Sequence, residues 1–319
     1  MAHNVETMAY AGETPWHGLG VKVSSDLTPA QILEKAGLNW RVAKVQAFIK
    51  AKSGEEVKID SAALVRSNDR RILGVVPASW QVVQNDQALA FFDAFIQAGH
   101  MEMHTAGSLR SGECIWALAK VKDGISLFNG DDTEAYLLLS SFHKYGFCTD
   151  IRFTPVRVVC NNTLSLALNS AAKNQIKVSH RVKFNPEAVR ETLGIAHKHL
   201  LAYKEQAQFI GSRRAKGEDV VNYFKRLFPA TGEVAAREDL SRNARRAVEL
   251  LETQPGAEFA KGSWWQAYNA VTYLTDHELG RSPDTRLWSA WYGPNQRKKL
   301  QALNLAILAA NDSRQLLPA

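Results

Sequence analysis

Up to about residue 153 apolar and polar positions alternate over short runs, and beyond residue 185 apolar positions recur every three to four residues. The chain therefore predicts strands first and helices afterwards. Thr28 and Pro29, with Gly37 at the far end, bracket a short helix through an N-cap, a first-turn proline and a C-terminal glycine. Residues 40–49 read as a strand, and 61–66 and 71–76 as a hairpin around Ser67-Asn68-Asp69-Arg70. Asn85 is positioned to cap a helix to Ala98, with Leu89, Phe92, Phe95 and Ile96 on one face. Residues 102–109 and 113–121, joined at Arg110-Ser111-Gly112, make a second strand pair; 134–142 and 147–153, around Lys144-Tyr145-Gly146, make a third.

Residues 162–172 read as helix and 175–184 as strand. After Asn185-Pro186 the pattern predicts helices over 187–210, 217–228, 235–252, 263–276 and 295–311. The expected fold class is α+β: an antiparallel, strand-rich N-terminal half with packed helices, then a mainly helical C-terminal half. The expected domains are 1–184, a core with an N-terminal arm, and 185–319, a helical basic region.

Composition adds two facts. Hydrophobic residues make up 45% of the 319 and charged ones 22%, which is ordinary for a globular chain. With no run near ~18 apolar residues and no basic-then-apolar leader, a cytoplasmic protein without a membrane partner is expected. Cys114, Cys148 and Cys160 form no Cys-x-x-Cys pair and read as buried thiols. Charge is uneven: residues 1–172 hold 16 Lys+Arg against 17 Asp+Glu, and the remainder 23 against 15, so the net +7 divides as −1 and +8.

No phosphate loop, Gly-x-Gly-x-x-Gly, Gly-x-Ser-x-Gly or His-Glu-x-x-His is present, so no cofactor and no catalytic residue are assigned. His100 and His104 read as loop residues, and His197 and His199 point to different faces of a helix. The chemistry concentrates in residues 156–164, where Arg157, Cys160, Asn161 and Asn162 interrupt a run that otherwise reads as core. Lys144, Arg152 and Arg157 lie on or beside consecutive strands. Either Arg157 pairs with a carboxylate such as Asp150 while the asparagines cap a helix, or cations, amides and a helix N-terminus converge on a phosphate. In the helical half, basic clusters at 213–216, 225–226 and 297–299 join Arg242, Arg245 and Arg246, which share one side of a helix. Trp264, Trp265, Tyr268, Tyr273, Trp288, Trp291 and Tyr292 are read mostly as core, with one or two rings free to stack bases. Thr14-Pro15-Trp16-His17-Gly18-Leu19-Gly20 reads as an arm folded onto its own surface, facing a ligand, or docked on another subunit.

The Pro-Trp-His-Gly-Leu-Gly arm, the Arg157–Leu164 segment, and Gly262-Ser263-Trp264 through Asn269-Ala270-Val271 to Asp276-His277 resemble, in this order, the phage/plasmid-like protein family. Its members carry a domain of unknown function and occur on mobile elements; where they commonly show His-Asp-Gly-Ser, this chain has His143-Lys144-Tyr145-Gly146. The front half is similar at fold level to phage single-strand annealing proteins. The resemblance implies an ATP-independent protein that binds and anneals single-stranded DNA as a homo-oligomeric ring or filament. Lys144, Arg152, Arg157, Asn161 and Asn162 would line the strand groove, Arg242, Arg245 and Arg246 a second patch, and Trp16 and His17 an oligomer contact. Two alternatives stand: a metal-dependent nucleic-acid enzyme using His17, His143 or Asp150, and a protein that binds a host factor through its aromatic C-terminal region.

Overall fold

The computed structural model describes residues 5–12, 19–122, 125–128, 131–157, 162–163, 175–185, 187, 196–232, 240–280 and 282–312. The fold is α+β, and the chain divides into two compact units. One comprises Met1–Lys122, Tyr136–Phe153 and Gln175–Ile195; the other comprises Asp123–Ala135, Thr154–Asn174 and Ala196–Ala319.

In chain order the strands are β1 (Val5–Tyr10), β2 (Val21–Lys22), β3 (Val42–Lys50), β4 (Glu56–Arg66), β5 (Ile72–Pro77), β6 (Met101–Leu109), β7 (Cys114–Val121), β8 (Ile125–Phe128), β9 (Asp131–Phe142), β10 (Thr149–Arg157), β11 (Asn162–Thr163) and β12 (Gln175–Val178). The α-helices are α1 (Pro29–Lys35), α2 (Asn85–Leu89), α3 (Asp93–Gln97), α4 (Ala196–Gly211), α5 (Gly217–Leu227), α6 (Arg242–Thr253), α7 (Trp264–Tyr273), α8 (Pro283–Tyr292) and α9 (Pro294–Asp312).

In the first unit β10, β9, β7, β6, β1 and β2 are successive neighbours in one sheet, β12 pairs with β10, and β3-β4-β5 form a second, antiparallel sheet. Alternation sends Ile115, Ala117, Ala119, Leu137, Leu139 and Ile151 into one core with Ile32 of α1, Leu89 of α2, Phe91, Phe92 and, from the small sheet, Leu64 and Leu73. The start of α1 is as the sequence predicts. Thr28 and Gln31 form a capping box, and Pro29 opens the helix. The 85–98 helix is instead three short pieces, with a 3-10 turn at Ala90–Phe92 where two adjacent phenylalanines are both fully buried. Its cap is Gln84, and Asn85 is buried. Asn85 Nδ2 donates to the Leu38 and Trp40 carbonyls at 2.9 and 3.3 Å. His104 lies within β6 rather than in a loop, its ring edge-on to Tyr136.

In the second unit β8 pairs with the start of β9, and β11 with the end of β10. Residues 162–163, read as the start of a helix, are thus strand, because β10 offers them a free edge. Helix α7 is surrounded by others: Trp264–Thr272 are all buried, and the polar side chains among them, Gln266, Asn269 and Thr272, bond to backbone carbonyls. Helices α4, α6 and α9 pack on it. A Cβ on Gly211 would lie 2.1 Å from Phe128 Cζ, so only glycine lets α4 approach β8 this closely. Helix α8 was missed by the sequence reading although Ser282-Pro283 repeats the hydroxyl-then-proline pattern of Thr28-Pro29; Ser282 forms no side-chain cap bond. A π turn, Leu274–Glu278, follows α7 and carries Asp276 inward. No helix of the described residues is long and apolar enough to cross a membrane.

Candidate functional site

The structure partners two of the proposed groove cations within the first unit. Lys144 Nζ donates to Glu113 Oε2 at 2.8 Å, and Arg152 is paired with Asp150 two residues away on β10. Arg157 and Asn162 are register partners of β10 and β11, but their side chains, and all of Asn161, lie outside the described residues. So do Trp16 and His17. On α6, Arg242 and Arg245 are exposed, whereas Arg246 donates Nε and Nη2 to Glu278 at 2.8 Å each and Nη1 to Glu249 at 2.8 Å. Those bonds raise its pKa further and remove it from the patch as a free charge. In the 297–299 cluster, Lys298 donates to the Leu227 carbonyl at 2.7 Å and Lys299 is buried against Asp276.

The second unit also holds a cleft of about 550 Å³, lined by Arg214, Lys216, Asp219, Asn222, Tyr223, Arg226, Trp264, Leu305, Ala309 and Asp312. Helical spacing builds it. Asp219, Asn222, Tyr223 and Arg226 recur at i, i+3, i+4 and i+7 on α5, and Leu305, Ala309 and Asp312 at i, i+4 and i+7 on α9. The third wall is a clasp of two segments. Arg214 and Ser263 form an antiparallel bridge; Ala215 N donates to the Gly262 carbonyl at 2.8 Å, and Trp264 N to the Arg213 carbonyl at 3.2 Å. Ser263 Oγ accepts from Gln266 N and so fixes where α7 begins. Trp264 and Tyr223 meet edge to face at 5.6 Å. Burial, with Tyr268 nearby, raises the Tyr223 pKa well above its usual value, so the hydroxyl stays protonated and donates to the Ala302 carbonyl.

Charges of both signs line the cleft. Lys216 occupies the N-cap of α5 in extended conformation with no side-chain cap bond, so the first-turn N–H groups add to the positive side. The first turn of α5 also carries Glu218 and Asp219, and because Lys298 bonds to Leu227 and Tyr223 to Ala302, α9 runs antiparallel to α5 and Asp312 lies toward the Lys216 side. Lys216 and Arg226 are exposed and form no ion pair among the described residues. The sequence reading noted the basic runs but not the Asp219-Asn222-Tyr223-Arg226 face. Its spacing on an already predicted helix was the available signal.

A second polar cluster is closed to ligands. His143, 1% exposed, donates Nε2–H to Asn85 Oδ1 at 2.9 Å, since Asn85 Nδ2 is already committed to carbonyls. His180 donates Nδ1–H to the Gln81 carbonyl and stacks on Trp80 at 4.2 Å. Burial, then the neighbouring His180, lowers the His143 pKa from 6.5 to about 3, and burial lowers that of His180. Both are neutral in the fold and take up protons on unfolding, so their stabilisation is complete above pH 6.5 and is lost as pH falls below it. His143 alone should cost about 2 kcal/mol between pH 7 and pH 5. Urea melts at the two pH values check this; equal stability would refute it. With His143 buried and its Nε2–H committed to Asn85, and Asp150 bound to Arg152, the metal-site reading loses two of its ligands, and the described residues contain no group of three His, Cys, Asp or Glu suited to an ion.

Residues 72–298 match the model of a domain of unknown function, DUF932, a span that includes Gly262-Ser263-Trp264 and most of the cleft. No curated protein and no solved structure matches the chain.

Proposed function

The chain belongs to the DUF932 family, a domain of unknown function, and on that premise we propose that it binds single-stranded DNA without ATP and promotes strand annealing as a homo-oligomer. The observation that carries this reading is the cleft. Arg214, Lys216 and Arg226, with Asn222 and the α5 N-terminus, present donors in one concave site, the arrangement a phosphate backbone requires. Arg242 and Arg245, both exposed, extend the positive surface of the same unit. The excess of +8 in residues 173–319 and the resemblance to phage/plasmid-like and single-strand annealing proteins support the same reading.

Assembly follows from a different surface. On the small sheet, Val45, Ala63 and Val75 form one cross-strand row and Ala43, Val65 and Ile72 another, with Ile72 63% and Val75 56% exposed. Because the row is uncharged, a second copy of itself fits it without repulsion, as a two-fold contact demands. Lys50, Lys58, Glu56 and Asp60 on β3 and β4 supply both signs of charge.

Fluorescence anisotropy with a labelled oligonucleotide over a salt series, with light scattering on the same complex, tests both. Affinity should fall with salt, and Lys216→Ala with Arg226→Ala should reduce the slope of log affinity against log salt by about 0.7 per lost phosphate contact. An unchanged slope, or no binding at low salt, would overturn the DNA reading. A monomer at every concentration would overturn the assembly.

A further inference from the structure

We propose that the cleft holds a single nucleotide unit of the strand, gripping its phosphate with Arg214, Lys216 and Arg226 and reading hydrogen-bond donors on its base or sugar with Asp219 and Asp312. The inference rests on the nucleic-acid reading above and adds what the ligand must carry.

It comes from two carboxylates standing where a site for a bare polyanion would have none. Asp219 and Asp312 line the same cavity as the three cations, and neither forms an ion pair among the described residues. A carboxylate only accepts hydrogen bonds. Facing phosphate, each would repel; facing an amine or a hydroxyl, each would form a charge-assisted bond. Exocyclic amines of adenine, cytosine and guanine and the hydroxyls of sugars are such donors, whereas polyphosphate and sulfated polymers offer the cleft little but negative charge.

Along α5 the cleft presents Lys216, Asp219 and Arg226 in turn, so a ligand lying on it meets both signs of charge. Lys216 and Arg226 suit the phosphate, while Asp219 in the first turn of α5 and Asp312 in the last turn of α9 suit the donors. Asp219, one turn in from Lys216 and on the face of Asn222 and Arg226, stands beside Asn222, which can both donate and accept. The Tyr223–Trp264 pair and Leu305 and Ala309 close the apolar wall, and about 550 Å³ is within the range of small-ligand sites.

Neutralising the carboxylates separates the two roles by sign. Wild type and Asp219→Ala/Asp312→Ala are titrated with a labelled deoxycytidine oligonucleotide and, separately, with polyphosphate, at one low salt concentration, after melting curves confirm equal folding. Oligonucleotide affinity should fall about a hundredfold, about tenfold for each of the two charge-assisted hydrogen bonds lost, while polyphosphate affinity should rise. If both ligands bind the variant more tightly, or the oligonucleotide is unaffected, the carboxylates do not read donors and this inference fails while DNA binding stands. If wild type binds no oligonucleotide, the nucleic-acid reading itself fails and carries this one with it.

Discussion

Asp276→Ala is expected to destabilise the helical unit by about 3–5 kcal/mol, the largest effect of any single charge removal in it. Lys299 Nζ lies 2.6 Å from Asp276 Oδ1, with the two side chains only 2% and 7% exposed. Removing the carboxylate leaves an ammonium in the core between α7 and α9, where it is driven to give up its proton or to unfold the site. The pair lies at the π turn. Asn295 Nδ2 caps the Thr275 carbonyl at 2.6 Å and the Leu279 carbonyl at 3.2 Å, so the turn that swings Asp276 inward has its loosened backbone groups satisfied. The double replacement Asp276→Leu/Lys299→Met should recover much of the loss, because apolar residues of similar volume need no compensation. Urea unfolding of the four proteins of the cycle yields the coupling. A loss below about 1 kcal/mol for Asp276→Ala would show that the pair is not buried as described.

Arg66→Gln should cost about 3 kcal/mol in the first unit. The Arg66 guanidinium donates to both Glu6 oxygens at 2.8 and 2.9 Å and to Asp69 Oδ1 at 2.9 Å, and sits 5.3 Å from the Trp40 ring centre. Arg66→Lys should recover only part of the loss, since a point charge cannot bridge two carboxylates in fork geometry. Burial pushes the Glu6 pKa up, but bonds from Arg66 and Ser108 and the charge of Arg71 outweigh it; the bond from Arg66 holds Asp69 well below the usual range. Lowered carboxylate pKa values contribute stability above the ordinary values of 4.5 and 3.8 and lose it as pH falls through the folded ones. That window lies below the one in which His143 begins to act, so thermal melts across pH distinguish them: wild type should lose stability in two stages, and Arg66→Gln should lack the lower one. A single acid transition shared by both proteins would refute the assignment.

The sequence by itself determined the elements whose signals are local. The Thr28-Pro29 helix start, the hairpin around Ser67–Arg70, the strand pairs on either side of residues 110–112 and 144–146, and the helices of the second half other than α8 all depend on periodicity and turn chemistry within a few residues. It also showed that the positive charge belongs to the C-terminal half. Tertiary structure decided which charges are available. Glu113 meets Lys144 only because β7 and β9 pair, Glu278 reaches Arg246 across a sequence gap of 32 residues, and Asp276 takes Lys299 out of the basic run at 297–299. Coulombic partners are chosen by distance in space, which a linear count of lysines and arginines does not contain. The same holds for Asn85, whose capping chemistry is ordinary in sequence but whose amide is drawn inward by the Leu38 and Trp40 carbonyls. The cleft joins both levels: the α5 face is legible as spacing, whereas its meeting with Trp264 and Asp312 is set by the packing of α5, α7 and α9.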